Sequence, residues 1–179
     1  MKTLKISALA LFSVLSFAAC DGDGGTGVTG LGRGQFEGKI SGSLDIGLRG
    51  DAESGYYGTP GFHDLIVLTD FSRGIRVAIY DSEDEFIEGR RTIENEDDFD
   101  SRIVAWVEDL DTGETFGSVS GTLDLDEVRN GGIEGSALFT AESDDVFGDF
   151  ITVDVIFNAD YNGDVDVNLS PSFSRTGKR

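Results

Sequence analysis

The chain is poor in several residue types at once. It carries one Cys, one His, one Trp and two Pro in 179 residues. A single Cys excludes a disulfide within the chain, and one His beside one Cys excludes metal sites built from several His or Cys side chains. Basic residues are scarce as well. Lys plus Arg number 14 against 34 Asp plus Glu, a formal charge of -20. Phosphate backbones are bound by clustered Lys and Arg, so this balance argues against nucleic acid as a partner. It argues equally against electrostatic docking on anionic lipid. No interior apolar run reaches the roughly 20 residues that a membrane-spanning helix needs.

What the chain does have is Gly and aromatics. There are 25 Gly, 13 Phe and four Tyr, and the aromatics are spread along the sequence as in a packed globule rather than a disordered chain. The length suits one domain with a core that needs no staples.

Residues 1–20 form a leader. Lys2 and Lys5 give a positive start, and Ile6 to Ala19 is an uncharged, mostly apolar run of 14 residues. That length fits the core of an export signal and is short for a span. The run ends in Phe17-Ala18-Ala19-Cys20, which resembles the lipobox of bacterial lipoproteins, with Phe17 where the family prefers Leu. The resemblance implies that residues 1–19 are removed and that Cys20 carries the lipid. It also implies residence in the bacterial cell envelope, anchored on the non-cytoplasmic side of a membrane. Asp21 matches the inner-membrane retention signal of enteric bacteria, a rule that does not transfer to all phyla, so inner versus outer membrane stays open. Loss of Lys2 and Lys5 leaves 12 basic residues against 34 acidic ones, near -22. Residues 20–34 then read as a lipidated Cys with a flexible tether, because Asp21 to Gly34 holds seven Gly and little apolar content.

From Gln35 the apolar period is two rather than 3.6. Phe36, Ile40, Leu44, Ile46 and Leu48 fall on even positions; Ile75, Val77 and Ile79 alternate, as do Ile151, Val153, Val155 and Phe157, and then Val165, Val167 and Leu169. Leu65 to Leu68, a segment ending near Ile93, and the run around Trp106 are further strands. The stretch Phe116, Val119, Leu123, Leu125 predicts a strand with a kink. Asp111-Thr112-Gly113, Asn130-Gly131-Gly132 and Asn162-Gly163 are turn sequences, and Asn-Gly favours the type I′ hairpin. The pattern predicts an all-β fold: an antiparallel β-sandwich or small β-barrel of eight to ten short strands over residues 35–169, with a disordered tail at 170–179. Ile40-Ser41-Gly42-Ser43-Leu44-Asp45-Ile46 matches Val119-Ser120-Gly121-Thr122-Leu123-Asp124-Leu125 position by position, either as symmetric strands or as ordinary strand grammar. The mid-strand Gly predicts a bulge or a close backbone approach. These Ser-Gly-Thr-Leu strands resemble the all-β domains of bacterial envelope lipoproteins, a resemblance that covers Phe36 to about Tyr161 and implies no activity and no site residues.

Candidate chemistry is confined to three places. Asn158, Asp160, Asn162, Asp164 and Asp166 alternate around Gly163 in the manner of a calcium loop, with oxygen ligands at every second position. Leu169 stands where a bidentate Glu is usual, and a hairpin with solvent-facing Asp gives the same pattern. The acidic runs Glu94 to Asp100 and Glu83 to Glu85 are further calcium candidates, or solvated loops that protect strand edges. Tyr56, Tyr57 and Phe62 lie beside His63 and Asp64, an aromatic cluster that suits a carbohydrate platform. His63 has no second His and no nucleophile motif around it, so no catalytic residues are assigned, and Trp106 reads as core. The expected protein is a lipid-anchored, non-enzymatic structural or binding domain without a cofactor, calcium apart. Its partners are the membrane, through lipid on Cys20, and an envelope protein or glycan. The alternative is a module for glycans or another small extracellular ligand, assisted by calcium.

Overall fold

A computed structural model describes residues 29–56, 64–82, 85–98, 101–143 and 148–164. It is all-β. The nine strands are β1 Gln35–Gly42, β2 Ile46–Tyr56, β3 Leu65–Asp70, β4 Ile75–Asp81, β5 Gly89–Ile93, β6 Ile103–Asp109, β7 Thr115–Arg129, β8 Gly132–Ser143 and β9 Phe150–Asp164. Eight of them close a barrel in the order β1-β2-β3-β4-β6-β7-β8-β9 and back to β1, each pair antiparallel. The ninth, β5, pairs with β7 alone. Of the two architectures compatible with the alternation, the barrel is the one formed. Closure removes the sheet edges that an open sandwich would leave.

Strand alternation places one continuous apolar cluster inside. Phe36, Ile66, Val77, Ala105, Phe139 and Phe157 belong to it, and every strand contributes. An eight-stranded barrel has an interior just wide enough for side chains to fill. Outward positions are mostly polar, the reverse of a membrane-spanning barrel, whose apolar side chains face lipid. One outward patch departs from this. Leu65, Val67, Ala78, Val104 and Trp106 form a second buried cluster on β3, β4 and β6. Trp106 is therefore buried, as expected, but outside the barrel core.

The expected kink in β7 is a pair of bulges. The ladder to β8 shifts between Ser118 and Ser120, and again between Leu125 and Glu127. One extra residue reverses which face a side chain takes. Inward positions change accordingly from even at Phe116 to odd at Leu123 and Leu125, and back to even at Val128, which packs against the core. Gly121 lies between the bulges, where a Cβ would sit 2.3 Å from that of Phe139. The close approach expected of a mid-strand Gly is present. The matching fragment Ile40–Ile46 has a different place, spanning the β1–β2 turn. The likeness is strand grammar, not symmetry.

The barrel has two unlike rims. The hairpin rim carries the β1–β2, β3–β4, β6–β7 and β8–β9 connections. Two Asp side chains organise it. Asp70, 2% exposed, accepts hydrogen bonds from the Arg49 N–H at 3.0 Å, the Ser72 N–H and hydroxyl at 3.0 and 2.7 Å, and the Arg73 N–H at 3.1 Å. Burial pushes its carboxyl up, but the Ser72 hydroxyl and the Arg49, Arg73 and Ser72 N–H groups outweigh burial and hold it below the ordinary value of 3.8. Asp109 accepts from the Asp111 and Thr112 N–H groups at 2.9 and 3.0 Å, and Gly113 completes that turn at φ 77°.

The entry rim carries the incoming chain and the β2–β3, β4–β5, β5–β6 and β7–β8 connections. The Asn130-Gly131 turn forms here, with Arg129 paired to Gly132. No non-glycine residue among those described has positive φ, so the expected type I′ geometry is not used. Asn162-Gly163 closes no hairpin. β9 runs through both to Asp164 and pairs parallel to the end of β2, with Glu53 opposite Asp160 and Ser54 opposite Tyr161. The cause is the length of β1. It begins opposite Asp51, so β2 beyond that point has a free edge, and β9 fills it.

Candidate functional site

The entry rim gathers most of the candidate residues. Hydrogen-bonded structure begins at Thr29, ahead of β1. The Glu134 carboxylate accepts from the Thr29 N–H and, at 2.8 Å, from the Thr29 hydroxyl. The Asn158 amide donates to the Leu31 carbonyl at 3.3 Å. Arg33 donates to the Gly131 carbonyl at 2.7 Å and forms an ion pair with Asp160. The Gly34 N–H donates to the Asn158 carbonyl, and the Gly34 carbonyl accepts from the Ala52 N–H. Residues 29–34 are thus a strap laid over the outer faces of β8 and β9, and residues 29–34 of the expected tether belong to the folded body.

The strap accounts for two buried polar side chains on outward positions. Glu134 is 1% exposed and Asn158 is 3% exposed. They sit opposite each other on β8 and β9, beneath the strap. One Glu134 oxygen, Oε2, is buried with no hydrogen-bond partner. A carboxylate half-paired in this way is costly to bury.

The calcium candidates are placed on a strand rather than a loop. Asn158, Asp160 and Asn162 project outward from β9 at alternate positions. Asn158 is committed to Leu31, Asp160 to Arg33, and Asn162 donates to Glu53 at 3.0 Å. The backbone of Asp164 ends β9; its side chain and Asp166 lie outside the described residues. Among the described residues no group of three or more His, Cys, Asp or Glu side chains is arranged to hold a metal ion.

Within the barrel mouth at this rim, Ser54 is fully buried and its hydroxyl has no hydrogen-bond partner. Half-buried Tyr56 follows it on β2. Asp81, 3% exposed, pairs with Arg102 at 3.3 Å. Phe86, from the β4–β5 connection, is buried in the interior cluster and fills the mouth where β5 and β6 part along β7. Tyr57, Phe62, His63 and Cys20 lie outside the described residues, so only Tyr56 of the aromatic platform is placed.

The acidic run has a structural part. Glu94 accepts from the Arg102 N–H, and its carbonyl accepts from the Ser118 hydroxyl at 2.6 Å. Asn95 caps the turn by accepting from the Asp97 N–H at 3.0 Å. Phe99, Asp100, Glu83 and Asp84 lie outside the described residues.

Glu134, Ser54 and Thr29 were not singled out by the sequence. Glu134 stands in an alternating strand like any solvent-facing acid, and only the strap makes it buried. The arrangement positions the chain: polar groups hold an incoming segment and a plug against the barrel wall. No known protein family, curated protein or solved structure matches this chain.

Proposed function

We propose that this chain is a lipid-anchored protein of the bacterial cell envelope, held on the non-cytoplasmic side of a membrane through Cys20, with a non-enzymatic β-barrel that serves a structural or binding role. The observation that supports the reading is the strap. Eight residues separate Cys20 from Thr29, and from Thr29 onward the chain is hydrogen-bonded to the barrel wall. A short leash ending in a fixed attachment suits a domain presented at a surface. Two or more acyl chains on one Cys anchor stably, at about 0.8 kcal/mol per buried methylene. The filled interior supports a role exercised on the outer surface.

The test is metabolic labelling with a fatty-acid probe in the producing bacterium, comparing wild type with Cys20→Ser. The expected result is labelled, membrane-associated wild type and an unlabelled variant. Equal labelling of both ends the reading.

A further inference from the structure

On a chain of charge -20, one flank carries almost no net charge. Register defines it row by row across the outward faces of β7, β8, β9 and β1. The row Ser120, Thr140, Thr152, Ser41 holds only hydroxyls. The row Thr122, Leu138, Asp154, Lys39 holds one acid and one base, 3.8 Å apart. Its exposed apolar side chains are large. Leu138 is 51% exposed and Phe150 is 55% exposed, and Ile156 is half-exposed between them and the strap. Only Glu37 at one edge and Glu142 at the other stand without a basic partner.

The strap ends on the same two strands. Thr29 is held by Glu134 of β8, and Leu138 lies four residues further along that strand, about 13 Å at strand rise. The nine chain steps from Cys20 to Thr29 reach about 30 Å at full extension. As a Gly-rich coil they average about 16 Å. The tether therefore brings this flank to the lipid without being stretched.

We propose that this flank is the face the barrel lays on its own membrane, with Leu138 and Phe150 seated at the lipid interface. The inference rests on the lipid-anchor reading. Its physical basis is repulsion. Bacterial membranes carry anionic lipid, and an acidic domain leashed within a few Debye lengths of such a surface is driven to turn its least negative side inward. Here that side is also apolar, hydroxyl-rich and nearest the attachment point. Lys39 adds the one lysine among the described residues to the same face.

The experiment places single tryptophans on the full chain: Leu138→Trp, Phe150→Trp and, on the hairpin rim, Phe71→Trp, a residue 75% exposed. All three sites are exposed, so the core is untouched, and the buried Trp106 is subtracted using the wild type. The proteins are placed on vesicles of phosphatidylethanolamine with a minority of phosphatidylglycerol bearing brominated acyl chains. The expected result is that the tryptophans at 138 and 150 lose most of their emission and the one at 71 loses little. Equal quenching at 71, or none at 138 and 150, overturns the proposal. Fatty-acid labelling of the same samples reports the anchor separately. If Cys20 is unlabelled, its thiol is coupled to a maleimide lipid in the same vesicles, and the quenching pattern still decides the flank.

Discussion

The two rims of this barrel solve the same problem with different means. At the hairpin rim, short connections are stabilised locally. Asp70 and Asp109 each satisfy N–H groups within a few residues of themselves, with the Arg49 N–H as the one distant donor. At the entry rim the backbone is satisfied by parts distant in sequence: residues 29–34 against β8 and β9, the end of β9 against β2, and Phe86 in the opening between β5 and β6. One rim is built from turn chemistry and the other from tertiary assembly. Damage at the first should be contained, and damage at the second should spread.

Four measurements sharpen or break that contrast. The largest effect is expected at the entry rim. Phe86→Ala removes a fully buried ring and should cost about 3–5 kcal/mol in urea unfolding, with a loss of less than about 1 kcal/mol showing that the mouth collapses around the gap. At the hairpin rim, Asp70→Ala should cost about 1.5–3 kcal/mol, because it strips charged hydrogen bonds from a buried position. Its pH dependence has a definite sign. The folded pKa lies below 3.8, so the stabilisation is present above the unfolded value and disappears as pH falls through the folded one. Wild type and Asp70→Asn should therefore converge in stability only in strongly acidic buffer; a constant gap at all pH values would remove ionisation from the account.

Glu134→Ala should have a smaller global effect, about 1–2 kcal/mol, since it also removes a half-paired buried carboxylate. Its local effect is the informative one. Amide exchange at Thr29 should rise toward the free-chain rate while exchange in β1 is unchanged. If β1 exchange rises equally, the strap and the barrel open as one unit. The smallest effect is expected from calcium. With Asp160 paired to Arg33 and Asn162 to Glu53, adding calcium or EGTA should leave the melting temperature of the wild type within about a degree, whereas a shift of several degrees would mean a site with appreciable occupancy.

The difference between the rims also governs what the sequence discloses. Alternation identified β3, β4, β6 and most of β9, because each buries side chains of one parity against one core. It did not disclose the second half of β2. There the inward positions are Gly50, Ala52 and Ser54, too small to register as apolar. Nor did it foresee that Phe116 and Leu123 share a face, since two bulges reset the parity in between. Asp111-Thr112-Gly113 was legible as a turn because its chemistry is local. Asn162-Gly163 was misleading for the opposite reason: its path is set by the unpaired edge of β2, more than 100 residues earlier. Of the candidate site, Asn158, Asp160 and Asn162 were correctly read as outward and alternating. Their partners, Leu31, Arg33 and Glu53, are set by the strap and by the parallel ladder, which no local pattern encodes.

The strap has a mechanical meaning as well. A force applied to the amino-terminal end does not act on β1 directly. It first meets the contacts of Thr29 with Glu134, then those of Leu31 and Arg33 with β9 and the β7–β8 turn. These lie in series along the wall, like the clamp that takes the strain off a cable where it enters a housing. Tugging would unzip six residues of slack before any barrel strand bears load, and the slack re-clips when the force subsides.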